Sequence, residues 1–164
     1  MKLISLAMVF FCLGLFAGEP TIVYLVRHAE KMADGSKDPD LSKTGEARAK
    51  MLQYFFEKVP LKNVYATQYK RTKDTVASIA ADHGVEVEII QAHDHQTQIQ
   101  TIKDMSGGCV LVAGHSNTVP ALIEQLGGPK FSISESQYDG VFQVILHEGS
   151  AYFQHFQMHA PAGN

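Results

Sequence analysis

Two five-residue apolar runs, Ile22-Val23-Tyr24-Leu25-Val26 and Cys109-Val110-Leu111-Val112-Ala113, limit what this chain can fold into. A strand with one wet face alternates apolar and polar residues, whereas a run without polar alternates has to be covered on both faces. Such strands belong in the middle of a sheet flanked by helices. The rest of the chain supplies the partners. Asn63–Thr67 and Val85–Ile90 read as further strands. Helical spacing recurs in Ala47, Met51, Leu52, Phe55 and Phe56, behind a capping Ser42, and in Val76, Ile79 and Ala80 of the stretch 70–83. Residues 96–105 predict a short polar helix, and 118–126 a helix stopped by Gly127-Gly128-Pro129. Val141–Leu146 and Ala151–Phe156 alternate around Glu148-Gly149, the pattern of a closing hairpin. The expectation is an α/β fold: three layers, a mostly parallel sheet with helices on both faces.

The chain has 164 residues, enough for one domain. Its net charge of −3 gives no basic footprint for nucleic acid, so no nucleic-acid partner is expected. Residues 1–18 stand apart. Lys2 precedes an apolar run from Leu3 to Ala17, and small residues come before Glu19-Pro20. This is the layout of a secretory signal peptide, with an uncleaved anchor as the alternative. The expected domain is then 19–164, exported to a periplasm or the medium, with no stable membrane insertion after cleavage. Cys109 would be its one cysteine, a buried and inert thiol.

Chemistry gathers at the strand ends. The first apolar run leads into Arg27-His28-Ala29-Glu30 and the second into Gly114-His115-Ser116-Asn117. In an open parallel sheet ligands bind at the carboxyl ends of strands, where strand order reverses. Arg71 opens the helix after the second strand and can reach the same crevice. Asn117 and Thr118 start another helix, whose free N–H groups favour an anion. Guanidinium groups offer planar forks to phosphate oxygens. A neutral imidazole with one nitrogen occupied is a competent nucleophile. Taken singly, an arginine at a strand end is a surface ion pair and a histidine after glycine a turn residue; only their convergence marks a site.

The same residues resemble a family. Arg27-His28-Ala29-Glu30, then Leu41-Ser42-Lys43-Thr44-Gly45-Glu46-Ala47-Arg48-Ala49, then Tyr65 to Thr75, then Gly114-His115-Ser116-Asn117-Thr118-Val119-Pro120, and more weakly Tyr138-Asp139-Gly140, resemble in order the motifs of the histidine phosphatase superfamily, the phosphoglycerate mutase-like fold. The resemblance implies a phosphatase in which His28 carries the phosphoryl group as a covalent phosphohistidine. Arg27, Arg71 and His115 would bind the phosphoryl oxygens, with Asn117 adding a contact, and no metal or organic cofactor is implied. His28 would be held by a hydrogen bond from its other nitrogen to a backbone carbonyl. For the general acid the expectation is Asp94, with Glu30 second; the alternatives are a solvated loop residue for Asp94 and an ion pair with Lys31 or Arg48 for Glu30. Some small members of the family manage without a clear acid.

Other polar clusters carry less. His93-Asp94-His95 lacks third and fourth ligands at metal-site spacing. His147, His155 and His159 fall on or beyond the hairpin, His83 at a helix end, and Phe131–Tyr138 forms a loop near the pocket mouth. No stretch is long enough for a cap, so an open site is expected, suited to a phosphorylated protein side chain or small phosphoesters. Export disfavours a glycolytic mutase and a cytoplasmic phosphorelay phosphatase. The competing readings are a non-catalytic phosphate- or phosphoprotein-binding module and a phosphotransferase or mutase.

Overall fold

A computed structural model describes residues 18–105 and 107–158. Of the expected signal segment only Gly18 falls among them, and His159 lies outside the described residues. The elements follow in the order β1 (Thr21–Arg27), α1 (Lys43–Phe56), β2 (Leu61–Thr67), α2 (Lys70–Asp82), β3 (Val87–Ile90), α3 (His95–Lys103), β4 (Gly108–Gly114), α4 (Thr118–Gln125), β5 (Gly140–His147) and β6 (Ser150–Gln157).

The strands form one six-stranded sheet in the order β3-β2-β4-β1-β5-β6. β3, β2, β4 and β1 run parallel; β5 is antiparallel to both β1 and β6. The apolar runs explain themselves once the faces are sorted. Val23 and Leu25 of β1, with Val110 and Val112 of β4, pack against Ile99 and Ile102 of α3 and Val119, Leu122 and Ile123 of α4. Tyr24 and Val26, with Leu111 and Ala113, pack on the other face against Leu52 and Phe56 of α1 and Val76, Ile79 and Ala80 of α2. Each central strand therefore feeds two cores, and has no position left for a polar residue. β3 and β6 close the edges, and Ile89, Tyr152 and Phe156 on them are exposed.

Two of the boundaries that shift from the sequence reading have a cause in the hydrogen bonds. β3 starts at Val87, because the Val85 N–H turns back to the Ala80 carbonyl and residue 85 belongs to the end of α2. α3 begins at His95, because the Asp94 carboxylate accepts from Thr97 N–H and caps it.

The joint between β1 and α1 is tight. Ser42 caps α1 by accepting from Gly45 N–H and also donates to the Glu30 carbonyl. A Cβ built on Gly45 would stand 2.0 Å from that carbonyl oxygen, a backbone atom that cannot swing aside. In an exposed helix interior, Gly→Ala stabilises by about 1 kcal/mol. Here the clash reverses the sign: Gly45→Ala should destabilise by about 2 kcal/mol or more, read as a lower urea midpoint.

Candidate active site

The β1–β4 register brings Arg27 level with Gly114, and the ladder continues one residue further through His28 N–H to the Gly114 carbonyl (2.9 Å). His28 and His115 leave adjacent strands side by side. Their rings lie edge to face with centroids 5.3 Å apart. Both are buried, at 4% and 9% exposure. A cavity of about 590 Å³ opens over them and is lined also by Arg27, Arg71 and Asn117. Lys31, His93, Asn117 and Glu135 form a solvent-facing rim.

Hydrogen bonds settle the state of the first histidine. His28 Nδ1 lies 2.7 Å from the Ala29 carbonyl, which can only accept, so Nδ1 carries the proton and Nε2 keeps a lone pair. Thr75 Oγ1 accepts from the Ala29 N–H and steadies the same turn from α2. Burial lowers the pKa of His28 to about 4; the Ala29 bond opposes this, and the charges of Arg71 and Arg27 reinforce it. His115 is also lowered to about 4, by burial first, then by His28, Arg71 and Arg27. Both rings are neutral at pH 7 in the midst of fixed positive charge.

The Arg27 guanidinium is anchored at its outer end. Arg27 Nη1 donates to the Ser134 and Gln137 carbonyls (2.8 and 3.0 Å) and Nη2 to Glu135 Oε2 (2.9 Å), while its plane covers the Tyr138 ring. Arg71 sits over the Tyr69 ring, with Nη1 3.6 Å from Asp38. Asp38 also accepts from Lys70 N–H and so caps α2 from the 34–40 loop. Arg27 Nε and Arg71 Nε are nevertheless buried without a hydrogen-bond partner among the described residues. Two guanidinium groups lining one cavity with two neutral imidazoles suit an anion.

His28, Arg27, Arg71, His115 and Asn117 thus share one cavity. The two expected acids do not. Asp94 spends its carboxylate capping α3, and the Thr97 N–H holds its pKa below the usual range. It lines a different hollow, beside Gln98 and Thr101. Glu30 is gripped by Arg48 through Nε and Nη2 (2.6–2.9 Å). Burial pushes its carboxyl up, but the Arg48 hydrogen bonds outweigh that and lower it. The carboxylate that does line the pocket is Glu135, missed in the sequence because the serine-rich loop around it has no helical or strand period. The Ser116 hydroxyl and the Arg27 charge hold Glu135 below the usual range, so it too is ionised. Among the described residues, no group of three His, Cys, Asp or Glu side chains converges to hold a metal ion. Cys109 is buried, and burial raises its thiol pKa.

The buried histidines tie stability to pH. Their folded pKa values near 4 lie below the unfolded value of about 6.5, so the unfolded chain takes up protons first as pH falls. The stability they contribute is complete above about pH 6.5 and is lost as pH drops towards 4. Urea titrations from pH 8 to 4 should show this decline, and His115→Gln should flatten it.

Comparison with known proteins bears on the fold. Residues 23–93 match the histidine phosphatase superfamily (branch 1). No curated protein sequence matches the chain. Among solved structures, the protein histidine phosphatase SixA complexed with tungstate is similar at a TM-score of 0.67 and 17% identity, covering 83% of this chain and 96% of its own. Phosphoglycerate mutase from Bacillus anthracis str. Sterne aligns at 0.66 and 14% identity, covering 84% and 93%. Phosphoserine phosphatase from Entamoeba histolytica, in complex with 3-phosphoglyceric acid, aligns at 0.66 and 15%, covering 85% and 98%. At such identities the structures speak for a shared phosphoglycerate mutase-like fold. The sequence match to the histidine phosphatase superfamily spans residues 23–93, and the solved structures extend the likeness over most of the chain as a phosphoglycerate mutase-like fold.

Proposed function

We propose that this chain is a phosphatase that hydrolyses phosphomonoesters or phosphoramidates through a phosphohistidine on His28. The observation that carries the reading is the convergence of Arg27, Arg71 and His115 on one cavity beside a neutral His28 whose Nδ1 is held by the Ala29 carbonyl, leaving Nε2 its lone pair. The Nε2 lone pair attacks phosphorus, the bond to the leaving oxygen or nitrogen breaks, and an N–P bond forms. Arg27, Arg71, His115 and Asn117 hold the phosphoryl oxygens and balance the developing charge. Water then attacks phosphorus, releasing inorganic phosphate and restoring His28. The similar folds of a protein histidine phosphatase and a phosphoserine phosphatase support this class of reaction.

The carboxylates constrain the substrate. Asp94 and Glu30 are committed elsewhere and Glu135 is ionised at Arg27, so the leaving group receives little help from a preformed acid. Good leaving groups are favoured, and the exposed rim suits a phosphorylated protein side chain or a small phosphoester. We place the activity outside the cytoplasm on the pattern of residues 1–18.

The test is turnover of a series of aryl phosphates. His28→Ala should fall to background, a loss of roughly 10⁴-fold or more; a variant as active as the parent overturns the reading. Across the series kcat/KM should rise steeply as the leaving-group pKa falls, and Asp94→Asn should leave that slope and the rates unchanged.

A further inference from the structure

Behind His115 runs a buried chain of hydroxyl groups. His115 Nε2 lies 2.9 Å from Thr67 Oγ1, and Thr67 Oγ1 lies 2.8 Å from Thr72 Oγ1. Thr72 Oγ1 in turn meets two carbonyl oxygens, of Tyr69 at 2.7 Å and of Thr67 at 2.9 Å. Thr67 and Thr72 are 1% and 0% exposed, so no solvent enters the chain.

The direction of the protons follows from what each atom can do. A carbonyl only accepts, so the single proton of Thr72 goes to a carbonyl. Its oxygen must then accept from the Thr67 hydroxyl. Thr67 has spent its proton, so it must accept from His115. The reverse polarity would leave two carbonyls pressed against a lone pair at hydrogen-bond distance. His115 therefore carries its proton on Nε2, and Nδ1, which has no partner among the described residues, keeps a lone pair.

This gives the two histidines opposite tautomers. On His28 the backbone holds Nδ1 and frees Nε2; on His115 the hydroxyl chain holds Nε2 and frees Nδ1. A lone pair suits a nucleophile but repels a phosphoryl oxygen. The groups facing His115 are the His28 ring and Arg27 from β1, Tyr69 and Arg71 from the start of α2, and Glu135 through Ser116. The cations disfavour a charged imidazole until an anion arrives to compensate them.

We propose that Thr67 and Thr72 are positioning residues that fix the Nε2–H tautomer of His115, so that the phosphoryl group meets Nδ1 and binds together with one proton. The proposal rests on the reading of His115 as a phosphate ligand. A phosphate dianion and a neutral His115 cannot hydrogen-bond at Nδ1; one proton from solvent, shared between Nδ1 and a phosphoryl oxygen, completes the contact. Above the second phosphate pKa, about 6 for a phosphomonoester and about 7 for the inorganic ion, each dianion bound should take up one proton.

Two measurements test this on the mature protein. The first is nitrogen-15 NMR of the histidine rings without ligand at pH 7, with His115→Gln to assign the signal. The expected result is a neutral His115 with a bare Nδ1; a bare Nε2, or a cationic ring, overturns the hydroxyl chain. Thr67→Val should abolish the tautomer preference and lower kcat/KM about tenfold, and Thr67→Ser should restore both. The second is calorimetry with inorganic phosphate at pH 8 in buffers of different ionisation enthalpy. Uptake of one proton per phosphate supports the proposal, and binding without uptake overturns it. Failure of phosphate to bind would end the phosphatase reading and the proton uptake with it, while the ring spectrum judges the hydroxyl chain independently.

Discussion

The site hangs on the parallel pairing of β1 with β4. That ladder sets Arg27 beside Gly114 and runs on through the His28 amide, so residues 87 positions apart emerge with their rings 5.3 Å from centre to centre. The pairing is held by burial on both sides: each strand supplies alternate side chains to two separate cores. A one-residue slip would exchange every side chain between the two faces and separate the histidines. The chemistry is thus protected by the same packing that defines the fold.

Around this ladder, loops do the electrostatic work. The 34–40 loop returns Asp38 to the start of α2, where it caps the helix and stands beside Arg71. The 134–138 loop takes the outer nitrogens of Arg27 through two carbonyls and Glu135. Arg27 is tethered at its tips by hydrogen bonds, and Arg71 stands 3.6 Å from Asp38 and over the Tyr69 ring. Such tethering lowers the entropy lost when a phosphoryl group is bound, since the forks are ordered beforehand.

Much of this was legible in the residues. The apolar runs announced central strands, and their Arg-His and Gly-His endings placed three groups, Arg27, His28 and His115, at one sheet edge. Ser42 announced the start of α1. The acid was not legible. Asp94 follows a strand and precedes a helix, as a catalytic carboxylate would, yet the same position is that of an N-cap, and the cap won. Glu30 neighbours His28 in sequence, but the chain turns it towards Arg48. Asp38 and Glu135 lie in loops without a period, and the site partners Lys70 of Asp38, Arg27 of Glu135 and His115 of Thr67 are 32, 108 and 48 residues away.

What the residue order settled on its own was local: which segments are strands or helices, and which carry groups able to hold phosphate. These follow from side-chain period, caps and breakers within a few residues. Protonation was decided only by the tertiary structure. Which nitrogen of His28 or His115 is free, and which carboxylate is spent on an arginine or a helix end, depend on burial and on hydrogen bonds between distant segments. Only a folded chain brings those partners within 3 Å and excludes the water that would otherwise take their place.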